Sequence, residues 1–221
     1  MKRLITVLLI FLPAFLAAQH DSYWEARKLV LGVIFSPNLS GPSFSVDESF
    51  SGNGRYREEA KSAFSFGLQA RYKINDKWEA QLRMLRADKG YKHIFVGPVT
   101  ISDKSLYNYR LFYLSFPTSI RYNFNEGKFV SFYVFAGVVP DVFLRSSGLR
   151  YEEEFYPVAL SYLGGIGGEF PLRDHWFLNI EPIFMQALTV FNRFRQYRPL
   201  SAGLAIGFFY DYQPEFADSG R

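Results

Sequence analysis

Apolar and polar side chains alternate along most of the sequence with a period of two residues. From Ala63 to Ile74 the even positions hold Phe, Phe, Leu, Ala, Tyr and Ile, and the odd positions hold Ala, Ser, Gly, Gln, Arg and Lys. Because successive side chains of a β-strand point to opposite faces, this segment is a strand with one apolar face. The pattern predicts about eight strands with no helix between them. The other seven begin near Leu29, Trp78, Phe112, Val130, Leu160, Trp176 and Leu200.

The connections between these strands alternate in length. Short turns rich in turn-forming residues lie at 75–77, 125–128 and 172–175. Longer polar segments lie at about 41–61, 88–106, 145–156 and 189–198. Strands of about ten residues joined in this way are typical of an outer-membrane barrel whose termini face the periplasm. The sequence therefore predicts one all-β domain, an eight-stranded antiparallel up-and-down transmembrane β-barrel with short periplasmic turns and longer external loops.

The first 18 residues predict a signal peptide, which leaves 19–221 as the barrel domain. Lys2 and Arg3 precede an apolar stretch from Leu4 to Leu16, and cleavage is expected before Gln19. The alternative is a membrane anchor, although the stretch is short for a spanning helix. Without Lys2 and Arg3 the chain holds 23 basic against 21 acidic residues, so its charge does not indicate a nucleic-acid partner.

Alternation alone leaves open whether the apolar face meets lipid or the core of a soluble β protein. The polar face is rich in Gly, Ser and Ala and carries few charges, which suits a crowded lumen better than a solvated surface. Aromatic residues lie at the strand ends beside the short turns, as in the girdle of a membrane interface. The signal peptide and the absence of cysteine also fit the outer membrane. The predicted girdle consists of Tyr72, Trp78, Tyr122, Phe170, Trp176 and Tyr210.

Charges of both signs fall on the face that points into the predicted lumen. Side chains can fill the interior of an eight-stranded barrel, and buried charges need partners. We therefore expect an internal salt-bridge network, with a narrow charged pore as the alternative. Pro117 lies within a predicted strand of the same barrel, and we expect a β-bulge there. The predicted lumen charge network consists of Arg71, Glu79, Arg83, Arg121, Glu169 and Glu181.

The sequence offers little support for catalysis. A lipid-modifying hydrolase or acyltransferase would need a base near a nucleophile. Of the three histidines, only His93 is expected near the outer rim, with Ser102 and Asp103 in the same loop, and no metal-ligand spacing surrounds it. We predict no enzyme, no cofactor and no metal site.

The last long loop alternates arginine with aromatic residues. Its Arg193, Arg195 and Arg198 are candidates for contact with lipid phosphates at the outer leaflet. The alternative is a rim of solvated arginines. Outer-membrane lipid is accordingly the first expected partner.

Three segments resemble the PorT-like family of outer-membrane β-barrels. Leu111 to Tyr122 resembles the tyrosine-leucine-x-isoleucine-proline strand of that family, 32–40 resembles its first strand, and 200–208 resembles its last. The resemblance covers 28–210. Two departures are Ser115, where many members have an acidic residue, and the extension from Asp211 to Arg221 beyond the closing strand.

The predicted function is a structural or interaction role in the outer membrane of a Gram-negative bacterium. External loops or periplasmic turns would carry any protein partner. A narrow porin-like channel for small solutes is the first alternative. The PorT-like resemblance adds a second alternative, an accessory role in protein secretion across the outer membrane.

Overall fold

Strands dominate the part of the chain that the computed structural model describes. The described residues are 29–43, 48–50, 54–96, 106–126, 130–147, 155–173, 175–191 and 197–212, so the predicted signal peptide lies outside them. No helix among these residues is long and apolar enough to cross a membrane. In chain order the strands are β1 (Leu29–Pro42), β2 (Glu48–Phe50), β3 (Gly54–Glu59), β4 (Lys61–Lys73), β5 (Trp78–Asp88), β6 (Tyr91–Val96), β7 (Leu106–Ser115), β8 (Thr118–Glu126), β9 (Ser131–Ser147), β10 (Val158–Arg173), β11 (Trp176–Ala187) and β12 (Pro199–Tyr212).

The strands close into a ring of antiparallel neighbours. β1 pairs with β4 on one side and with β12 on the other, so the first and last strands join. β7 and β8 form the two halves of one barrel strand, because both pair with β5 and with β9. The pairs β4–β5, β9–β10, β10–β11 and β11–β12 complete the ring. The ring has eight strands when β7 and β8 are counted together, which confirms the predicted all-β, eight-stranded antiparallel barrel.

Two of the predicted long loops contain strands. β3 lies within 41–61 and β6 lies within 88–106, and these two strands pair with each other. β6 also pairs with the start of β7, and the short β2 pairs with β3. Alternation does not reveal these strands because apolar and polar residues do not alternate regularly in β3 and β6.

The ring buries its polar face and exposes its apolar face. In β4, Gln69 and Arg71 are 2% exposed, whereas Phe66 is 43% and Leu68 is 54% exposed. The same alternation of buried and exposed positions runs through β1, β5, β9 and β11. A soluble barrel would show the opposite arrangement. The apolar outer face is the one that a barrel in lipid requires.

Pro117 does not form the predicted bulge. Phe116 and Pro117 are not paired in either ladder, but the register with β5 and with β9 is the same before and after them. Arg83 donates its backbone N–H to the Pro117 carbonyl oxygen at 2.8 Å, and proline has no N–H to donate in return. The barrel therefore loses one ladder hydrogen bond at this position and keeps its register.

Candidate functional site

The lumen nearest the short turns holds a neutral group of two arginines and two glutamates. Arg71 forms an ion pair with Glu169, and its Nη1 lies 3.6 Å from the Glu79 carboxylate. Arg121 lies 3.2 Å from Glu169 and 3.6 Å from Glu79. Asn123 joins the group because it accepts a hydrogen bond from Arg121 Nε at 2.6 Å and donates one to Glu79 at 3.1 Å. Each cation therefore faces two anions, and the charges balance.

The remaining two predicted network residues form a separate pair deeper in the barrel. Arg83 Nη2 lies 2.5 Å from Glu181 Oε2, and the two side chains are 2% and 1% exposed. Tyr133 donates its hydroxyl to the other oxygen of Glu181 at 2.8 Å. Arg83 also donates to Gln81 at 3.4 Å, and Gln81 accepts a hydrogen bond from Ser119 at 3.1 Å. All six predicted lumen charges thus point inward, but they form two groups rather than one.

Each lumen arginine lies over an aromatic ring that the sequence analysis did not include. Aromatic rings attract cations through their negative faces, and a low-dielectric interior strengthens that attraction. The rings belong to inward-facing side chains that are 0% to 3% exposed. Tyr133 links the two charged groups, because it contacts both Arg121 and Glu181. The guanidinium-to-centroid distances are 4.8 Å for Arg71 over Phe209, 5.3 Å for Arg83 over Phe135 and 3.5 Å for Arg121 over Tyr133.

Inward-facing glycines make room for these rings. A Cβ atom added at Gly32 would lie 2.3 Å from the ring of Phe209, and one at Gly167 would lie 2.3 Å from the ring of Tyr133. A Cβ atom added at Gly165 would lie 2.6 Å from the ring of Phe135. These distances are far below ordinary contact, so any larger residue would displace the ring. The glycines of the polar face therefore provide the space in which the aromatic rings hold the arginines.

A second kind of buried charge pair, which the sequence analysis missed, lies towards the long-loop end. Asp141 is 0% exposed and accepts hydrogen bonds from Lys89 at 2.6 Å, Ser115 at 2.5 Å and Ser161 at 3.2 Å. Ser115 is the position where the resemblance leads one to expect an acid, and here the neighbouring strand β9 supplies that carboxylate. Continued alternation in β9 could have placed Asp141 inside. Lys89 follows β5 in a segment that we predicted as a loop.

Aromatic side chains fill the outer end of the lumen above this pair. Phe191 and Tyr197, which lie near the two ends of the last long loop, are 0% and 3% exposed. The ring of Phe191 lies 4.9 Å from that of Tyr113, and the ring of Tyr197 lies 4.6 Å from that of Tyr91. Tyr197 also donates its hydroxyl to the Lys89 carbonyl oxygen at 3.0 Å. The two ends of the last long loop are therefore packed inside the barrel through Phe191 and Tyr197.

The residues of the predicted girdle lie on the outer face near the short turns. The rings of Trp78 and Tyr122 are 4.8 Å apart, and those of Trp176 and Tyr210 are 5.1 Å apart. Trp78 and Trp176 are 44% and 51% exposed, and Tyr72 and Phe170 are partly buried on the same outward face. Their role as a membrane-interface girdle stays a prediction.

The remaining candidates lie partly outside the described residues. Arg193 and Arg195 are not described, whereas Arg198 is exposed and its carbonyl oxygen accepts hydrogen bonds from Ser43. Ser102 and Asp103, which were considered beside His93 for a catalytic role that we did not predict, also lie outside the described residues. Among the residues that are described, no three His, Cys, Asp or Glu side chains are grouped as a metal site would require.

Comparison with known proteins agrees with this architecture. The family described as the outer membrane protein beta-barrel domain matches residues 6–182. The structure of the outer membrane protein OprG from Pseudomonas aeruginosa superimposes with a TM-score of 0.59 and 15% identity, over 86% of this chain and 97% of that one. Neisserial surface protein A superimposes with a TM-score of 0.55 and 15% identity, over 86% of this chain and all of that one. At such identity the structural likeness shows the fold alone.

The family match places the chain among outer-membrane proteins, which agrees with the exposed apolar outer face of the barrel. Comparison with curated protein sequences gave no match. The family match covers well over half of the sequence. This chain therefore belongs to the outer membrane protein beta-barrel family and resides in the outer membrane.

Proposed function

We propose that this protein is a non-enzymatic outer-membrane barrel with a side-chain-filled lumen and a structural or interaction role. The observation that carries the proposal is the succession of filled layers along the barrel axis. The charged group of Arg71 and Arg121 lies nearest the short turns, and the Arg83–Glu181 pair follows. The Asp141 cluster and the aromatic rings occupy the outer end.

A cluster of buried apolar side chains supports the same proposal. Ions do not cross apolar regions packed by large side chains, because they would lose their hydration without gaining partners. A filled lumen leaves the segments beyond the membrane as the parts that can meet a partner. These large side chains form a buried cluster that packs against the charged groups and consists of Ile34, Leu85, Tyr133, Phe135, Val139, Leu163, Ile183, Met185 and Ala205.

A narrow porin-like channel for small solutes is the second candidate, and one observation favours it. Gln69 and Asn179 point inward and are 2% and 1% exposed, yet neither polar atom of either amide has a hydrogen-bond partner. Buried amides ordinarily have partners, which water or a passing solute would supply. The two amides lie on β4 and β11, which β1 and β12 separate in the ring.

Single-channel recording separates these two candidates. The refolded chain, 19–221, is added to a planar bilayer after a heat-shifted gel band has shown that the barrel is folded. The filled lumen predicts no steady openings. Reproducible openings whose ion selectivity changes in the Arg121→Gln and Glu181→Gln variants would support the channel and contradict the filled lumen. The Lys77→Gln variant, which alters an exposed turn residue, is the matched control.

The PorT-like resemblance supports a third proposal, an accessory role in protein secretion. Its support is the strand from Leu111 to Tyr122. Deletion of the gene would then leave secreted proteins in the periplasm, and the wild-type gene would restore their export. Normal export in the deletion strain would contradict this role while leaving the filled-lumen proposal intact.

A further inference from the structure

Three arginines point outward from adjacent strands near the long-loop end of the barrel. Arg86 lies on β5, Arg110 on β7 and Arg145 on β9, and all three are exposed. β7 pairs with β5 on one side and with β9 on the other. We name Arg86, Arg110 and Arg145 the arginine patch. No carboxylate among the described residues forms an ion pair with any of the three.

An aromatic ring sets the spacing of two patch residues. The guanidinium carbon of Arg86 lies 4.8 Å from the ring centroid of Phe112, and that of Arg145 lies 5.0 Å from the same centroid. The two guanidinium carbons are therefore at most about 10 Å apart. Phe66 lies 5.9 Å from Arg86 on its other side. Contact with a ring occupies the flat face of a guanidinium and leaves its N–H edge for an anion.

A β-bulge places Arg145 in this patch. The register between β7 and β9 shifts so that Tyr113 pairs with Phe143 and Phe112 pairs with Arg145. The extra residue is Leu144, which is 47% exposed. Regular alternation from the buried Asp141 would have turned Arg145 into the lumen. The bulge reverses that direction, as bulges do where a side chain must be re-aimed.

The patch lies near the outer edge of the apolar band, about 5 Å inside it by strand geometry, where an arginine side chain can extend to the headgroups. Arg86 is eight residues along β5 from Trp78, which lies beside the short turn. With a rise of about 3.3 Å per residue and a strand tilt of about 40°, this is about 20 Å along the barrel axis. The apolar band of such barrels is about 25 Å tall. An outward arginine at the band's outer edge escapes most of the cost of burial in hydrocarbon and meets headgroups instead.

We propose that the arginine patch binds the phosphate groups of a phosphorylated lipid in the outer leaflet. Three guanidiniums that pair with no carboxylate of the described residues are complementary to a multiply charged anion, and paired N–H groups match phosphate oxygens. The apolar surface around the patch, including Phe66, packs against acyl chains of the same lipid. The site is on the outside of the barrel, so it does not depend on whether the lumen conducts.

The test compares binding of diphosphoryl lipid A with binding of the same lipid after its phosphates have been removed. Native mass spectrometry of the refolded 19–221 chain in detergent micelles measures both. The intact lipid is expected to bind about 100-fold more tightly than the dephosphorylated one, because each of the three basic residues beside anionic headgroups contributes about fivefold. Equal binding of the two lipids would overturn the proposal without need of any variant.

Variants then locate the site on the patch. Arg86→Gln with Arg145→Gln should lower the affinity for the phosphorylated lipid about 10- to 30-fold, whereas the charge-conserving pair Arg86→Lys with Arg145→Lys should retain part of it. Lys77→Gln, a charge removal in a periplasmic turn, should change nothing. Unchanged affinity in the double glutamine variant, or an equal loss in Lys77→Gln, would overturn the site. Binding of inorganic phosphate alone that equals binding of the lipid would overturn the lipid as its ligand.

Discussion

Removal of Glu181 tests the energetic role of the deepest lumen ion pair. Glu181→Ala leaves Arg83 buried at 2% exposure with the weaker contacts to Gln81 at 3.4 Å and to the ring of Phe135, and it removes the acceptor of the Tyr133 hydroxyl. Leaving one member of a buried pair uncompensated costs about 3–5 kcal/mol. With a urea dependence of about 2 kcal/mol per molar, the unfolding midpoint should fall by about 2 M.

A comparison with the other lumen group makes the test specific. Glu169 is 16% exposed, and both of its arginines also face Glu79 at 3.6 Å. Glu169→Ala should therefore cost less, about 1–2 kcal/mol. Urea unfolding of the barrel in lipid vesicles, followed by heat-shifted gel mobility, gives both midpoints. The apolar double variant Arg83→Met with Glu181→Leu should recover most of the loss. A loss below about 1 kcal/mol in Glu181→Ala, or a larger loss in Glu169→Ala, would refute the reasoning.

Three further predictions concern other parts of the barrel, and each is checked by the urea midpoint. Gly67→Ala would place a methyl group 1.9 Å from a carbonyl oxygen of β5 and should lower the free energy of unfolding by about 2 kcal/mol or more. The control variant Gly164→Ala would place its methyl group 3.7 Å from the nearest atom and should be nearly neutral. Equal effects of the two variants would contradict the argument. Lys89→Met leaves the fully buried Asp141 without its cation and should lower the free energy of unfolding by about 3–5 kcal/mol. Adding Asp141→Asn to this variant should restore part of the lost stability. Phe191→Ala removes a fully buried ring and should lower the free energy of unfolding by about 3 kcal/mol. An unchanged midpoint would show that Phe191 does not hold the end of the last long loop inside the barrel.

Side-chain parity along the strands accounts for most of what the sequence predicted correctly. In a closed barrel every strand has one face in the lumen, so alternation alone identifies inward residues such as Arg71 and Glu181. Parity fails where a strand is irregular. Arg145 is an odd-numbered residue of β9, and only the extra residue at the bulge turns it outward. A bulge depends on local backbone pairing that one sequence does not reveal.

Two other features were also beyond prediction from sequence. The Lys89–Asp141 pair joins residues 52 positions apart, and Lys89 follows a strand whose continuation looked like a loop. Which aromatic ring lies on which glycine depends on the stagger between neighbouring strands. Pro117 shows the opposite error: the sequence suggested a bulge, but the barrel tolerates one missing ladder bond without a change of register.

The seating of rings on glycines has a consequence for how this sequence can vary among related chains. Phe209 occupies space that a Cβ at Gly32 would need, and Tyr133 does the same at Gly167. A larger residue at either glycine becomes tolerable when the ring is lost at the same time, and the arginine above the ring then loses its support. Substitutions in the lumen should therefore occur as linked triplets of glycine, ring and arginine, and an alignment of relatives would show these positions covarying across different strands.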